Sequence, residues 1–192
     1  MILGITGGSG CGKTTLLNII GENGGLVLDC DAIYHELLTS DKALLTSIGA
    51  RFPGTLENGV LQRKKLGTIV FSDESALKDL NRITHSAVKQ EVLRRLEGHW
   101  GLAAIDAIAL FESGLAELCD LTVAVTAPAE DRVRRLMERD GISGEYARSR
   151  IGAQHSDAWF REKCGHVLLN DGTRAQFYNK CLAFLRQYGI IE

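Results

Sequence analysis

The sequence lacks the cysteine and histidine patterns that mark disulfide-bonded or zinc-binding proteins. Its five cysteines are an odd number and include no Cys-x-x-Cys pair: Cys11, Cys30, Cys119, Cys164 and Cys181. We therefore expect reduced thiols rather than a disulfide framework or a zinc site. The five histidines show no metal-ligand spacing either.

A strong net charge and a long apolar run are also absent. The formal net charge is −2, which argues against a surface that binds duplex nucleic acid. No apolar run reaches the roughly 18 residues of a membrane-spanning helix. The first predicted strand starts at residue 2, where a secretory signal would need its basic segment. We expect a cytoplasmic protein with no nucleic-acid, membrane or obligate protein partner.

A glycine-rich loop stands near the start of the chain, between a predicted strand and a predicted helix. Residues 7–14 read Gly-Gly-Ser-Gly-Cys-Gly-Lys-Thr, which fits the phosphate-binding pattern of Gly, four residues and Gly-Lys-Ser/Thr. Glycines let successive N–H groups turn toward phosphate oxygens, and the following helix adds its positive dipole end. The loop therefore predicts a polyphosphate nucleotide as ligand, with Mg²⁺ accompanying it.

The chemistry of the loop assigns roles to its last residues. Lys13 is expected to reach the β- and γ-phosphates, and the Thr14 hydroxyl to bind a Mg²⁺ that bridges them. The residues of this segment expected to contact the nucleotide are Gly8, Ser9, Gly10, Cys11, Gly12, Lys13, Thr14 and Thr15.

Two aspartates end the next predicted strand, residues 24–31. Ligands of open α/β sheets bind beyond the carboxyl ends of the strands, so both carboxylates are expected to face the nucleotide site. Asp29 is expected to bind the metal directly or through water. Asp31 has two interpretations: a functional carboxylate in the site, or the cap of a helix over 32–38.

Strands alternate with helices along the chain, which predicts a three-layer α/β/α P-loop NTPase fold with a five-stranded parallel sheet. Hydrophobic residues at 45% and charged residues at 24% are ordinary values for a domain with a full core. We expect one domain whose core comprises about 1–38, 100–127 and 164–192. A helical insertion over about 39–99 and a helical lid over about 128–163 complete it. The later core strands are predicted at 102–111, 121–126 and 167–169.

Three arginines of the lid segment share one helix face. The helix is delimited by Pro128 and Gly141, and its Arg132, Arg135 and Arg139 are spaced three and four residues apart. One interpretation is a solvated basic face. The other is a mobile lid that clamps transferring phosphates, a task for which bidentate guanidinium groups are well suited.

The order of these motifs resembles the dephospho-coenzyme A kinase family over nearly the whole chain. The segments that carry the resemblance are 6–14, 29–31, 58–63 with Leu66 and Phe71, 83–85, 110–112, Arg135 with Arg139 and Asp140, 150–154 and 170–172. Two prolines usual in that family are replaced, by Ser86 and within the 107–109 segment.

The resemblance implies transfer of the ATP γ-phosphate to the ribose 3′-hydroxyl of dephospho-coenzyme A, the last step of coenzyme A biosynthesis, with Mg²⁺. It makes Asp31 the base for the acceptor hydroxyl and makes Arg135 and Arg139 catalytic lid residues alongside Lys13. With its position in the insertion, it also suggests Arg63 and His85 as acceptor contacts. Asn170 and Gly172 would lie on the adenine side of the ATP site.

Two other functions also use a phosphate loop. A GTPase switch needs an Asn-Lys-x-Asp motif, but Asn179-Lys180 is followed by Cys181 and Leu182, so the switch is disfavoured. A nucleoside or nucleoside monophosphate kinase of the same fold is the nearer alternative, because acceptor choice depends on the shape of the inserted helices rather than on a short motif.

Overall fold

The computed structural model describes residues 1–191. Along these residues the elements are, in chain order, β1 (Ile2–Thr6), α1 (Lys13–Glu22), β2 (Leu26–Asp29), α2 (Cys30–Ser40), α3 (Lys42–Arg51), β3 (Leu56–Glu57), β4 (Val60–Leu61), α4 (Arg63–Ser72), α5 (Glu74–Leu96), β5 (Ala103–Asp106), a 3-10 turn (Leu115–Leu118), β6 (Leu121–Thr126), α6 (Ala129–Asp140), α7 (Gly144–Gly152), α8 (Asp157–Lys163), β7 (His166–Leu169) and α9 (Arg174–Gln187). None of the helices described is long and apolar enough to cross a membrane.

The elements fall into two compact units. The first contains residues 1–28 together with the chain from Trp100 onward, and the second contains Asp29–His99. The second unit thus begins about ten residues before the start predicted for the helical insertion.

The five-stranded sheet has the order β2-β5-β1-β6-β7. β1 runs parallel to both of its neighbours, with Ile5 opposite Asp106 of β5 and Thr6 opposite Ala124 of β6. The predicted parallel α/β sheet is therefore confirmed. Because β1 is the central strand, the glycine loop that follows it emerges at the middle of the carboxyl edge of the sheet.

Alternate residues of the central strands serve opposite layers of helices. Val123 and Val125 of β6 join the core formed with α1 and α9, whereas Ala124 between them packs with Phe160 of α8. This alternation follows from the two-residue period of a strand. Buried apolar side chains on both faces therefore fix the sheet that carries the loop.

The second unit is helical and is organised around α5, which packs against α2, α3 and α4. Its buried residues recur at helical spacing: Ala76, Leu80, Thr84, Val88 and Val92. The short β3–β4 hairpin turns at Asn58 and Gly59, with φ of 50° and 78°. Both positive φ values fit a two-residue hairpin turn with an Asn-Gly sequence.

Two predicted strands are too long. The strand predicted over 102–111 ends at Asp106, because its neighbour β1 ends at Thr6 and leaves no partner further on. The chain turns instead, and the Ser113 N–H donates to the Ala109 carbonyl oxygen. β2 ends at Asp29 rather than at residue 31, since the helix α2 already begins at Cys30.

Candidate active site

The glycine loop joins β1 to the start of α1. Gly12, which precedes the helix, has a φ of 99°, a left-handed conformation that glycine adopts without strain. Within the loop the Cys11 N–H donates to the Gly8 carbonyl oxygen at 3.3 Å. Cys11 is buried, and burial raises the pKa of its thiol, so the thiol is protonated at neutral pH.

Lys13 reaches back across its own loop. Its Nζ donates to the Gly7 carbonyl oxygen at 2.9 Å and lies 3.9 Å from Asp106 Oδ1. Both side chains are largely shielded from solvent, at 13% and 17% exposure. Asp106 was not among the predicted site residues, because the strand predicted over 102–111 places it in mid-strand, whereas in the structure it ends β5. The available signal was a single carboxylate within an otherwise apolar run.

Arg135 and Asn170 hold the second half of the loop. Arg135 donates to the Gly10 carbonyl oxygen at 3.1 Å and to Asn170 Oδ1 at 3.3 Å. Asn170 is buried and donates from Nδ2 to the Cys11 carbonyl oxygen at 2.8 Å. A Cβ atom at Gly12 would lie 2.4 Å from Asn170 Nδ2, so Asn170 and a side chain at position 12 exclude each other.

Arg132 and Gln154 hold the first half of the loop through Ser9. Arg132 Nε donates to the Ser9 carbonyl oxygen at 3.0 Å, and its Nη2 donates to Gln154 Oε1 at 2.8 Å. Gln154 Oε1 also accepts from the Ser9 N–H at 3.0 Å, and Gln154 Nε2 donates to Ser9 Oγ at 2.8 Å. Arg132 is only 4% exposed. For this residue the interpretation as a solvated basic face is therefore wrong, because helical spacing identifies a shared face but not what covers it.

Arg139 lies on the same helix but pairs with its neighbour. Its Nε and Nη2 donate to the two carboxylate oxygens of Asp140 at 2.6 and 3.0 Å, and Arg150 donates to Asp140 Oδ2 at 2.8 Å. The hydrogen bond from Arg139 is the main reason that the pKa of Asp140 is lowered to about 2. Arg139 is 61% exposed at its side chain. It therefore differs from Arg132 and Arg135, which contact the loop.

The two aspartates predicted after β2 belong to the second unit and have different surroundings. Asp29 caps α2, because its Oδ1 accepts from the N–H groups of Asp31 and Ala32 at 2.9 and 3.0 Å. The interpretation of Asp31 as the cap of this helix is therefore wrong. Asp31 lies in the first turn and is exposed, and within residues 1–191 its carboxylate forms no hydrogen bond or ion pair.

The predicted acceptor contacts also lie in the second unit. Arg63 is the exposed first residue of α4. Burial raises the pKa of Tyr34, and the positive charge of Arg63 opposes that shift, which indicates that the two side chains are near each other. His85 is half-buried near the middle of α5.

The remaining predicted nucleotide contacts lie in the first unit. Thr14 is exposed in the first turn of α1, where Thr15 follows it. Gly172 is exposed two residues beyond Asn170, between β7 and α9. Among the residues described, no group of three acidic, histidine or cysteine side chains could by itself hold a metal ion.

A glycine loop of the phosphate-binding pattern after the central strand of a parallel α/β sheet, with a lysine inside it, defines the P-loop NTPase fold. The dephospho-CoA kinase family profile matches residues 1–176. The chain belongs to the dephospho-CoA kinase family.

Named relatives and solved structures agree with this assignment. The dephospho-CoA kinase of Geobacillus kaustophilus is 36% identical over 198 residues, covering 100% of this chain and 98% of the relative. That of Corynebacterium diphtheriae is 38% identical over 180 residues, covering 90% of each chain. The crystal structure of TT1252 from Thermus thermophilus is 31% identical, with a TM-score of 0.84 and coverage of 98% and 97%. The Campylobacter jejuni dephospho-CoA kinase is 26% identical, with a TM-score of 0.70 and coverage of 97% and 96%.

The reaction is therefore the ATP-dependent phosphorylation of dephospho-coenzyme A, the last step of coenzyme A biosynthesis. The predicted function is confirmed at the level of the family. The alternative of a nucleoside or nucleoside monophosphate kinase is not supported by these relatives.

Proposed function

We propose that the residues of the glycine loop bind the ATP phosphates and that Lys13 neutralises charge on the phosphoryl group in transit. The observation that carries this proposal is the position of the Lys13 ammonium, between the Gly7 carbonyl oxygen and the Asp106 carboxylate at the sheet edge. An ammonium held there can exchange the carbonyl for a phosphate oxygen without leaving the loop. Asn170 and Gly172 would then flank the adenine.

Mg²⁺ is the metal that we propose, held by oxygen ligands. The Thr14 hydroxyl and the Asp106 carboxylate are hard oxygen donors of the kind that Mg²⁺ takes together with phosphates and waters. When bound, the ion would neutralise charge on the phosphates. Asp29 remains a proposed ligand, directly or through water. Within residues 1–191 its Oδ1 caps the helix, which leaves Oδ2 for the metal or its water.

We propose that Asp31 orients the ribose 3′-hydroxyl of dephospho-coenzyme A and accepts its proton. Phosphoryl transfer has a loose transition state, so the proton leaves late and a carboxylate is a sufficient base. Its exposure and the absence of a hydrogen bond or ion pair to its carboxylate within residues 1–191 support this role. Arg63 and His85 are the proposed contacts to the remainder of the acceptor.

The proposal also assigns roles to the helical unit and to the lid segment. The helical unit would bind the acceptor, and the segment over about 128–163 would act as a lid on which Arg135 and Arg139 meet the transferring phosphate. A cytoplasmic location is part of the proposal, supported by five free cysteines.

The test of the catalytic assignment is Asp31→Asn, which keeps the shape of the side chain and removes its charge. We expect kcat to fall by about 10²–10⁴-fold while binding of Mg·ATP stays near normal. Asp41→Asn is the matched control, because Asp41 caps α3 through the N–H groups of Ala43 and Leu44 and should affect stability but not kcat. If Asp31→Asn retains more than about a tenth of kcat, the base is another residue.

A further inference from the structure

All three polar groups of Ser9 are bound by residues far along the chain. The Ser9 N–H donates to Gln154 Oε1 at 3.0 Å, its Oγ accepts from Gln154 Nε2 at 2.8 Å, and its carbonyl oxygen accepts from Arg132 Nε at 3.0 Å. The sequence suggested Ser9 as a nucleotide contact. In the structure its N–H, hydroxyl and carbonyl groups form hydrogen bonds with Gln154 and Arg132.

Gln154 has the chemistry that this position requires. Its amide oxygen accepts from two N–H donors, one on Ser9 and one on Arg132, while its amide nitrogen donates to a hydroxyl. Reversing the amide would set an NH₂ group against both donors, so the network itself determines the orientation. The glutamine thereby connects the loop to the buried Arg132 guanidinium.

The residue after Gln154 is fixed independently. The His155 imidazole contacts the Glu112 carboxylate and stacks on the Trp159 ring, with centroids 3.8 Å apart and planes inclined by 8°. Phe111 packs edge-on against the same indole. These contacts hold the short segment between α7 and α8 in place, so Gln154 presents its amide from a fixed backbone.

We propose that Gln154 and Arg132 are positioning residues that set the conformation of the phosphate loop through Ser9. Fixing the Ser9 peptide determines the direction of the next peptides, and these lead directly to the N–H groups at Gly12 and Lys13. Donors that are already oriented cost no reorganisation when a phosphate arrives. Buried polar networks of this kind contribute most when every member is satisfied. The inference rests on the proposed role of the loop as the ATP phosphate site.

Three variants test the inference: Gln154→Ala, Gln154→Glu and the matched control Gln187→Ala, which alters an exposed glutamine near the end of α9. We expect Gln154→Ala to lower kcat/KM for ATP by about 10- to 100-fold and to leave KM for dephospho-CoA within about twofold. Gln154→Glu should recover most of the loss, because a carboxylate still accepts from the Ser9 N–H and Arg132, and the Ser9 hydroxyl can donate to it.

A double-mutant cycle with Ser9→Ala identifies the path of the effect. Ser9→Ala removes the hydroxyl and keeps the backbone N–H and carbonyl, so the part of the Gln154 effect that passes through the hydroxyl should appear as losses in kcat/KM for ATP that are less than additive. The proposal would be overturned if Gln154→Ala raised KM equally for both substrates and lowered the melting temperature. It would also be overturned if Gln154→Ala left kcat/KM for ATP within about twofold of the wild-type value. Lys13→Ala distinguishes failure of this inference from failure of the proposed phosphate site. If Lys13→Ala abolishes transfer while Gln154→Ala has no effect, the loop is the phosphate site and only the positioning role of Gln154 is refuted.

Discussion

The Lys13 ammonium donates a hydrogen bond to the carbonyl oxygen of Gly7, 2.9 Å away. The first and seventh residues of the phosphate loop are therefore joined by a side chain as well as by the backbone. This bond uses one of the three N–H donors of the ammonium, while Asp106 balances its charge from 3.9 Å. The loop is thus held closed by the same group that we expect to meet the phosphates.

Replacing this lysine should remove activity without unfolding the protein. Lys13→Ala is expected to abolish phosphoryl transfer and weaken ATP binding, because the side chain supplies charge rather than core packing. Lys78→Ala is the control, since that lysine is exposed on α5 and pairs only with Glu74 within the described residues. Steady-state ADP release and circular dichroism provide the two readouts. Normal turnover in a folded Lys13→Ala protein would refute the nucleotide site.

Arg139 provides a separate prediction, because it pairs with Asp140 rather than with the loop. Arg139→Ala is expected to lower kcat by about 10²-fold or more and to raise KM for ATP much less, since a lid arginine meets the phosphoryl group only after closure. Arg134→Ala, on the same helix and paired with Asp131, should leave both constants near wild type. If Arg139→Ala changes only the salt sensitivity, the solvated-face interpretation holds for this residue.

The side chains of Arg132 and Gln154 leave no space for a Cβ atom at Gly8. A Cβ atom there would lie 2.0 Å from Arg132 Nη2 and 2.7 Å from Gln154 Oε1. We expect Gly8→Ala to displace Arg132 and weaken binding of a non-hydrolysable ATP analogue, measured by calorimetry. In an Arg132→Ala background the same substitution should cost clearly less. Equal losses in both backgrounds would show that the phosphates, rather than the arginine, require the glycine.

Acid should weaken the helical unit through Glu91. Hydrogen bonds from Arg94 and then Arg95 lower the pKa of this carboxyl from 4.5 to about 2. A lowered pKa in the folded state stabilises the protein above the unfolded value, and that contribution disappears as pH falls through the folded value. Glu91→Gln should therefore be less stable than wild type at pH 7, and the difference should shrink between about pH 4.5 and about pH 2. Urea denaturation at several pH values measures it, and a constant difference would contradict the prediction.

Local patterns predicted the elements whose boundaries depend on nearby residues. The strand predicted over 121–126 is found at Leu121–Thr126, and the strand predicted over 167–169 is found at His166–Leu169. The helices α4 and α8 lie in segments that were predicted as helical without separate bounds for these two helices, and α8 is only seven residues long. The error at β5 has a nonlocal cause, because a strand ends where its neighbour ends and the sequence of residues 107–111 does not record where β1 stops.

The residues of the candidate site also fall into those that a local motif predicts and those that only the fold brings together. The phosphate loop is a contiguous motif, so the sequence alone predicted Lys13 and Thr14. Gln154 and Asp106 were missed as site residues because they meet the loop from distant parts of the chain. For Arg132 the helical face was predicted correctly, but its burial behind the loop depends on contacts that only the fold creates.

The two tryptophans have different surroundings, so their intrinsic fluorescence can report on the phosphate loop. Trp100 is 96% exposed, and its emission should be red-shifted and easily quenched by iodide. Trp159 stacks on His155, the residue next to Gln154, and should emit at shorter wavelength with an intensity that depends on the adjacent imidazole. A Trp100→Phe protein would retain this single emitter, so the arrival of a nucleotide at the loop could be followed by stopped-flow fluorescence without any attached dye.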